Sequence, residues 1–232
     1  MRDLIILGTG VHALEMAEMV ARINRAKRTW RPLGYLTLDP RETGRTLNGL
    51  PVLGTREALA DHPRACLVPD NTWPTREPLP RERLVSLVDP TAVVSSTAQI
   101  GLACVIYPHC YLGLNARLGD YVFCLSGSVI NHDDVLADNV AVTSLVSLAG
   151  SVQIGADTYL GQACTVRQGL KIGRNCMIGM GAVVVKDVPP DSVMAGNPAR
   201  KIKGRPVEPG RFGQPEAAAN RRGVSDSSGR PA

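Results

Sequence analysis

The chain has 232 residues, carries a net charge of +5 and is 44% apolar. That length leaves room for one or two domains. No apolar run approaches eighteen residues, which argues against a membrane span. No block of basic residues alternates with aromatic ones, which argues against a nucleic-acid-binding protein.

The N-terminal region has the pattern of a strand, a glycine-rich turn and a helix. Residues 3–7 form a short apolar run that predicts a buried strand rather than a signal peptide, so a cytoplasmic protein is expected. The turn at residues 8–13 fits G-x-G-x-x-A, and a helical pattern continues over residues 13–24. This arrangement offers backbone N–H groups to a phosphate, although a tight turn without a ligand has the same pattern.

The rest of the first 88 residues predicts a small parallel α/β domain. A helix is expected from Thr55, a good N-cap residue, to residue 61. A proline-rich loop is expected at residues 69–80, where a crossover helix would be usual. The predicted strands and edge elements lie at residues 33–38, 51–54, 65–68 and 84–88.

A six-residue period organises the next hundred residues. Hexapeptide repeats of this kind are typical of a parallel β-helix with three faces and about eighteen residues per coil. Small or aliphatic residues stand two positions earlier in nearly every repeat, so both positions face the interior of the solenoid. The apolar positions are Val94, Ile100, Ile106, Leu112, Leu118, Cys124, Ile130, Leu136, Val142, Leu148, Ile154, Leu160, Val166, Ile172, Ile178 and Val184.

Five of the six cysteines fall on inward positions of this period, and Cys66 lies in a predicted strand. We interpret all six as small core residues. The solenoid is assigned to residues 89–185 and a C-terminal cap to residues 186–203. The tail at residues 204–232 is rich in Gly, Pro, Ser, Arg and Ala, and is expected to be disordered.

One repeat departs from the pattern. Asp134 occupies an inward position, where an unpaired carboxylate would be costly. His132 lies two residues earlier, at a corner, where its imidazole is expected to project outward. A neighbouring carboxylate would raise the basicity of that imidazole, but the sequence leaves open whether Asp133 or Asp134 plays this part. We therefore expect the functional site here.

Four features carry a resemblance to a bacterial family: the α/β unit, the solenoid, the N-H-D motif at residues 131–133 and G-N-P-A-R at residues 196–200. The chain resembles the hexapeptide-repeat sugar acyltransferases of the sialic acid O-acetyltransferase and UDP-4-amino-sugar N-acetyltransferase type. The resemblance covers roughly residues 3–203. It implies a left-handed β-helix after a small Rossmann-like domain, and a homotrimer with active sites between adjacent solenoids. It also implies acetyl-CoA as co-substrate, no metal, and a sugar or nucleotide-sugar acceptor in glycan biosynthesis.

The resemblance also assigns roles to residues. His132 matches the catalytic base of the family, and Asp133 matches the acidic residue that raises its basicity. The positions that hold the sugar nucleotide in that family correspond to Gly10, Val11, His12 and Gly54. Those that contact acetyl-CoA correspond to Ala141, Gln162 and Met180. Four basic residues could meet the CoA phosphates or could be ordinary solvated surface charges: Lys186, Arg200, Lys201 and Lys203.

Several positions depart from the family. Asp134 stands where Cys is common, and Ala141 replaces a His that contacts acetyl-CoA in some members. Thr37 and Leu38 replace an acidic pair at the end of the second strand, and Val11 replaces a Gly. The missing acidic pair, Val11 and the proline-rich loop in place of a helix bear on nucleotide-sugar recognition more than on acetyl transfer.

The same fold suggests three alternative functions. A non-catalytic binding or scaffold protein on the same fold is compatible with Asp134 and Ala141. A solenoid carbonic anhydrase needs three His ligands for zinc, and the repeats hold only His109 and His132. A nucleotidyltransferase needs a larger N-terminal domain and a basic residue close to the glycine turn.

Overall fold

A computed structural model describes residues 1–74 and 78–202. The N-terminal unit is a five-stranded sheet with strand order β3-β4-β2-β1-β5, in which only the β3–β4 pair is antiparallel. Three short 3-10 helices span Pro40–Glu42, Arg56–Ala60 and Arg81–Arg83. The other elements are β1 (Arg2–Leu7), α1 (Val11–Ala26), β2 (Trp30–Leu36), β3 (Thr46–Leu47), β4 (Leu50–Gly54) and β5 (Cys66–Pro69).

The core of this unit forms around β1, the strand paired with both β2 and β5. Its last four residues are fully buried, as expected for a central parallel strand. The predicted helix is confirmed, and α1 extends it by two residues at each end. The helix predicted from Thr55 is only a 3-10 helix, and the Thr55 hydroxyl bonds to Glu57 rather than capping the backbone.

The solenoid is confirmed as a parallel β-solenoid built from short strands. Every third strand pairs in parallel, so one coil takes eighteen residues. The strands form three sheets along the solenoid, β7-β10-β13-β16-β19-β22, β8-β11-β14-β17-β20 and β6-β9-β12-β15-β18-β21-β23-β24. Their bounds are β6 (Leu87–Val88), β7 (Val93–Val94), β8 (Gln99–Ile100), β9 (Val105–Ile106), β10 (Tyr111–Leu112), β11 (Arg117–Leu118), β12 (Phe123–Cys124), β13 (Val129–Ile130), β14 (Val135–Leu136), β15 (Ala141–Val142), β16 (Ser147–Leu148), β17 (Gln153–Ile154), β18 (Tyr159–Leu160), β19 (Thr165–Val166), β20 (Lys171–Ile172), β21 (Met177–Ile178), β22 (Val183–Val184), β23 (Val193–Ala195) and β24 (Arg200–Lys201).

The periodic residues fill the interior of the solenoid. All of them are buried except the first two, Val94 and Ile100, which lie at the end of the stack. Burying one such side chain stabilises the fold by about 1.5–3 kcal/mol. The six cysteines are free thiols, and all but Cys66 are buried, which agrees with their assignment as small core residues.

The junction between the two units differs from the prediction. The strand expected at residues 84–88 divides: Leu84 makes an isolated bridge to Leu67 in the first sheet, whereas β6 pairs with β9 in the solenoid. An ion pair adds to this junction, because Arg22 on α1 donates to the buried carboxylate of Asp89 at 2.6 Å. Helix α1 therefore packs directly against the start of the solenoid.

At the other end, β23 extends one solenoid sheet and β24 pairs antiparallel with it. These strands cover the edge of the last coil. Lys203 and the tail at residues 204–232 lie outside the described residues. No helix within residues 1–74 and 78–202 is long and apolar enough to cross a membrane.

Candidate active site

His132 lies at the corner between β13 and β14. Its Nδ1 atom is 2.9 Å from Oδ2 of Asp133, and the two side chains are 49% and 52% exposed. A carboxylate at Nδ1 favours the tautomer with the proton on that nitrogen. Nε2 then carries the free lone pair, so the imidazole can accept a proton there.

Asp133 is the carboxylate that orients the imidazole, which the sequence had left open. Its second oxygen, Oδ1, accepts a hydrogen bond from the side-chain amide of Asn115 at 3.0 Å. Its backbone N–H donates to the carbonyl of Leu114 at 2.8 Å. The hydrogen bond with His132, followed by the one from Asn115, lowers the pKa of the Asp133 carboxyl. Asp133 is therefore held in its charged form.

Asp134 points into the solenoid, and its carboxylate joins two coils. Oδ2 accepts from the Asn131 N–H at 2.7 Å, and Oδ1 accepts from the Val152 N–H at 2.8 Å. The residue is fully buried, and that burial raises the pKa of its carboxyl to about 6 although both hydrogen bonds oppose the shift. Asp134 thus fixes the backbone immediately before His132 and the backbone of the next coil.

Gly150 lies directly against the imidazole, one coil further along the solenoid. A β-carbon at Gly150 would stand 2.8 Å from Nε2 of His132, and the φ angle of Gly150 is +97°. Among the described residues its amide donates no hydrogen bond. Sequence reasoning missed this residue, although its position eighteen residues after His132 is one coil length and was available as a signal.

The glycine turn lies at the carboxyl end of β1 and leads into α1. Gly10 is the N-cap of α1 and supplies no side-chain hydrogen bond, so the first N–H groups of the helix are available to a ligand. Gly8 has φ +123°, and a β-carbon there would lie 2.2 Å from Oδ2 of Asp70. Only glycine fits at this position.

Asp70, at the carboxyl end of β5, is a second residue that the sequence did not reveal. It is 4% exposed, and its Oδ1 accepts hydrogen bonds from Thr72 and Trp73. Burial raises the pKa of its carboxyl. Within residues 1–74 and 78–202, Oδ2 of Asp70 and Oδ1 of Asn71 have no hydrogen-bond partner. The unpaired Oδ2 of Asp70 therefore borders the glycine turn.

An acidic side chain also reaches the end of β2, where the sequence shows Thr37 and Leu38. Glu42, from the 3-10 helix that follows, accepts hydrogen bonds from the Thr9 hydroxyl at 2.6 Å and the Thr37 hydroxyl at 2.7 Å. Its carboxylate thus links the glycine turn to β2. The family's acidic pair is absent from β2, but a carboxylate occupies the same edge of the sheet.

The predicted acceptor-binding residues are not equivalent. Val11 is 65% exposed beside the turn, and Gly54 ends β4 at the same sheet edge. The His12 ring instead packs edge-on against Phe123 and Tyr107 of the solenoid, with ring centroids 5.4 and 6.3 Å away. The His12 side chain therefore joins the two units, and only its backbone lies at the turn.

The residues predicted for acetyl-CoA are spread over several surfaces. Ala141 is buried at the floor of a cleft between the solenoid and the end of β5, together with Asp70 and Asn71. Gln162 and Met180 are exposed at a different corner, after β18 and β21, and Met180 is 76% exposed. Lys186 and Arg200 are also exposed.

Within one chain, His132 and the glycine turn do not meet. His132 follows a strand of the six-stranded sheet, whereas the N-terminal unit packs on the eight-stranded sheet through Tyr107 and Phe123. The structure therefore brings His132 and Asp133 together, and it gathers the residues of the glycine turn, but it leaves these two sets at separate corners.

Residues 151–186 match the family model described as bacterial transferase hexapeptide (six repeats). The acyl-[acyl-carrier-protein]–UDP-N-acetylglucosamine O-acyltransferase of Campylobacter concisus is 29% identical over 113 residues, which is 48% of this chain and 43% of that protein. The chain spans less than half the length of the curated relatives that it matches. It is a hexapeptide-repeat protein whose relatives are acyltransferases and acetyltransferases.

Two solved structures resemble the chain more completely. A mutant of perosamine N-acetyltransferase from Caulobacter crescentus, in complex with CoA and GDP-perosamine, is 26% identical with a TM-score of 0.77, covering 87% of this chain and 97% of that one. The acetyltransferase domain of PglB from Neisseria gonorrhoeae, in complex with acetyl coenzyme A, is 27% identical with a TM-score of 0.75, covering 87% and 99%. These coverages exceed the length of the solenoid, so the similarity extends into the N-terminal unit.

Proposed function

We propose that this protein is an acetyl-CoA-dependent acetyltransferase that acts on an amino or hydroxyl group of a sugar or nucleotide sugar. The observation that carries the proposal is the His132–Asp133 pair, which leaves Nε2 of the imidazole free beside Gly150. The bound CoA and GDP-perosamine in the first solved neighbour support both substrate classes. The expected setting is bacterial glycan biosynthesis in the cytoplasm.

The proposed chemistry is direct transfer. Nε2 of His132 takes the proton from the acceptor amine or hydroxyl while the acceptor atom bonds to the thioester carbon of acetyl-CoA. Asp133 stabilises the imidazolium through Nδ1–H. The backbone N–H of Gly150, which donates no hydrogen bond among the described residues, is the candidate donor to the oxyanion. When the C–S bond breaks, the thiolate of CoA takes the proton from His132, and the imidazole is restored.

For the acceptor, we propose the glycine turn and the adjoining sheet edge. The backbone N–H groups at Gly10, Val11 and His12 suit a phosphate, because they open the first turn of α1. Gly54 lies at the same edge. The unpaired oxygen of Asp70 suits a hydroxyl donor of the same ligand.

For acetyl-CoA, we propose contacts with Ala141, Gln162 and Met180. Exposed Lys186 and Arg200 are the proposed partners of the CoA phosphates. A flexible pantetheine arm can run along a groove between two solenoids, which would join these separate surfaces.

The separation of His132 from the glycine turn favours an active site shared between chains. We propose a homotrimer in which His132 of one chain faces the acceptor held by its neighbour. The proposal includes left-handed winding of the solenoid, as in the acyltransferases that the sequence resembles, and a Rossmann-like N-terminal domain that ends before β6.

The test of the activity is acetyl-CoA turnover with a panel of nucleotide-linked amino sugars, sialic acids and amino acids. His132→Asn is expected to lower the rate by about 10²–10⁴-fold, the usual contribution of a positioned general base. His109→Asn is the matched control, because His109 is an exposed corner histidine in the left-handed region, which Asn tolerates. Near-normal turnover by His132→Asn would overturn the mechanism, and a wild-type protein with neither turnover nor CoA binding would favour a scaffold.

The shared site is tested by complementation. His132→Asn and Gly10→Val chains, each inactive alone, are refolded together. Mixed trimers should recover part of the activity, because a site between two different chains can combine the intact imidazole of the Gly10→Val chain with the intact glycine turn of the His132→Asn chain. No recovery from trimers shown by mass spectrometry to be mixed would place both elements in the same chain's site.

A further inference from the structure

The carboxylate of Asp133 is held at both oxygens. Oδ2 meets the imidazole of His132 at 2.9 Å, and Oδ1 accepts from the Asn115 amide at 3.0 Å. We propose that Asn115 is a positioning residue for catalysis: it fixes the Asp133 carboxylate, and through it the orientation of His132. This inference rests on the proposed function, because it assigns a role to Asn115 through the general base.

The backbone of Asn115 is itself fixed by the preceding coil. Its N–H donates to the Thr97 hydroxyl at 2.9 Å, and its φ angle is +59°. Asn is one of the few residues other than Gly that adopt this left-handed conformation readily. The corner therefore presents the amide to Asp133 from a rigid position one coil below.

The same contact occurs at two other places in the solenoid. Asn139 donates to Asp157 at 2.8 Å, and Asn175 donates to Asp191 at 2.7 Å, each from a left-handed position. An Asn-to-Asp contact between coils is thus a recurring element of these corners. Only at Asp133 does the other carboxylate oxygen meet an imidazole, so only there can the contact affect a reacting group.

Asp133 needs such a contact because its side chain is exposed to water. Asp133 is half exposed, and a free carboxylate there would rotate among several rotamers and bond to water. Each rotation would remove the acceptor from Nδ1–H and release the imidazole from its catalytic tautomer. The amide of Asn115 supplies this restraint before substrate binds. The titratable groups that interact electrostatically with Asp133 include His132, Arg117 and Asp134.

Asn115→Gly tests the proposal, because glycine keeps the left-handed backbone and deletes the amide. The expected result is a fall in kcat of about tenfold, the equivalent of one hydrogen bond of about 1.4 kcal/mol, with the KM for acetyl-CoA unchanged. Asn175→Gly removes the same kind of contact far from His132 and controls for loss of stability. Equal rates for the two variants would overturn the proposal.

A double-mutant cycle separates positioning from a structural effect. Asp133→Gly removes the carboxylate and tolerates the φ of +60° at that position. If Asn115 acts through Asp133, adding Asn115→Gly to Asp133→Gly lowers kcat no further. A further tenfold loss in the double variant would show that Asn115 acts by another route.

An NMR measurement tests the role of Asn115 independently of turnover. The Nδ1–H proton of His132, observed by NMR of 15N-histidine-labelled protein, should be sharp in the wild type and in Asn175→Gly, but broadened by exchange in Asn115→Gly. An unchanged signal in Asn115→Gly would refute the inference. If the wild type transfers no acetyl group, the proposed function fails; if the wild type is active and His132→Asn is inactive while Asn115→Gly is normal, only this inference fails.

Discussion

The carboxylate of Asp134 accepts a hydrogen bond from the backbone N–H of Val152, which lies eighteen residues later on the next coil. Its other oxygen accepts from Asn131, immediately before His132. One buried carboxylate thus ties the corner that carries the proposed base to the coil that carries Gly150. Asp134, the residue that departs from the repeat, therefore links two coils at the proposed site.

Removing this carboxylate should destabilise the solenoid. Asp134→Ala leaves two buried N–H groups unpaired, and each is expected to cost about 1–3 kcal/mol. Asp134→Asn retains one acceptor oxygen and should lose less. Urea unfolding of both variants measures the difference. Asp138→Asn is the control, because Asp138 accepts one backbone N–H bond at an exposed position. Equal losses at residues 134 and 138 would contradict this account.

Asp134 should also give stability a particular pH dependence. Its folded pKa, about 6, lies above the ordinary value of 3.8. Between these values the folded state binds more protons than the unfolded state, so this residue's contribution to stability falls as pH rises from about 4 to 6. The free energy of unfolding of the wild type, relative to Asp134→Asn, should therefore decrease over that window. A constant or increasing difference would show that the pKa is not raised.

Gly150 should be required for the geometry of His132. Gly150→Ala places a β-carbon 2.8 Å from Nε2, so the imidazole must move away from its position against Gly150. Gly169→Ala is the matched control: its φ is +73° and nothing lies within 4 Å of the added carbon. Both variants carry a left-handed alanine, which costs roughly 1–2 kcal/mol. Both should lose similar stability, and only Gly150→Ala should lose acetyl transfer, by about 10²-fold or more. Parallel losses of activity would contradict the prediction.

Gly8 should be intolerant of any side chain. A β-carbon there meets Oδ2 of Asp70 at 2.2 Å, and the φ of +123° is unfavourable for other residues. Gly8→Ala should therefore lower the free energy of unfolding by about 3 kcal/mol or more. Gly49→Ala, with φ +77° and open space around it, should lose only the free energy of unfolding that a left-handed alanine costs. Thermal unfolding compares the two, and similar melting temperatures would show that Asp70 moves aside readily.

The solenoid could be predicted because its information is local. Every sixth residue points inward and must be apolar, so the period itself predicts that the residues from Ile106 to Val184 are buried. The exposure of His132 followed from its place outside those positions. The strand β1, the glycine turn and α1 were predictable for the same reason, since each is encoded by neighbouring residues.

The contacts between coils and between units were not predictable in this way. The division of the strand at residues 84–88, the packing of His12 against Phe123, and Asp70 beside Gly8 each join residues far apart in sequence. The first two are set by how the N-terminal unit docks on the solenoid and the third by the pairing of β1 with β5, and no local pattern records either.

The sequence by itself determined the repeat, its inward residues and the position of His132, because a strict period of six leaves one way to bury the apolar side chains. Only the tertiary structure decided that Asp133 orients the imidazole, that Asp134 joins two coils and that Gly150 lies beside Nε2. Stacking one coil on the next brings residues eighteen positions apart into contact. The side-chain directions at each corner then decide which of them bond.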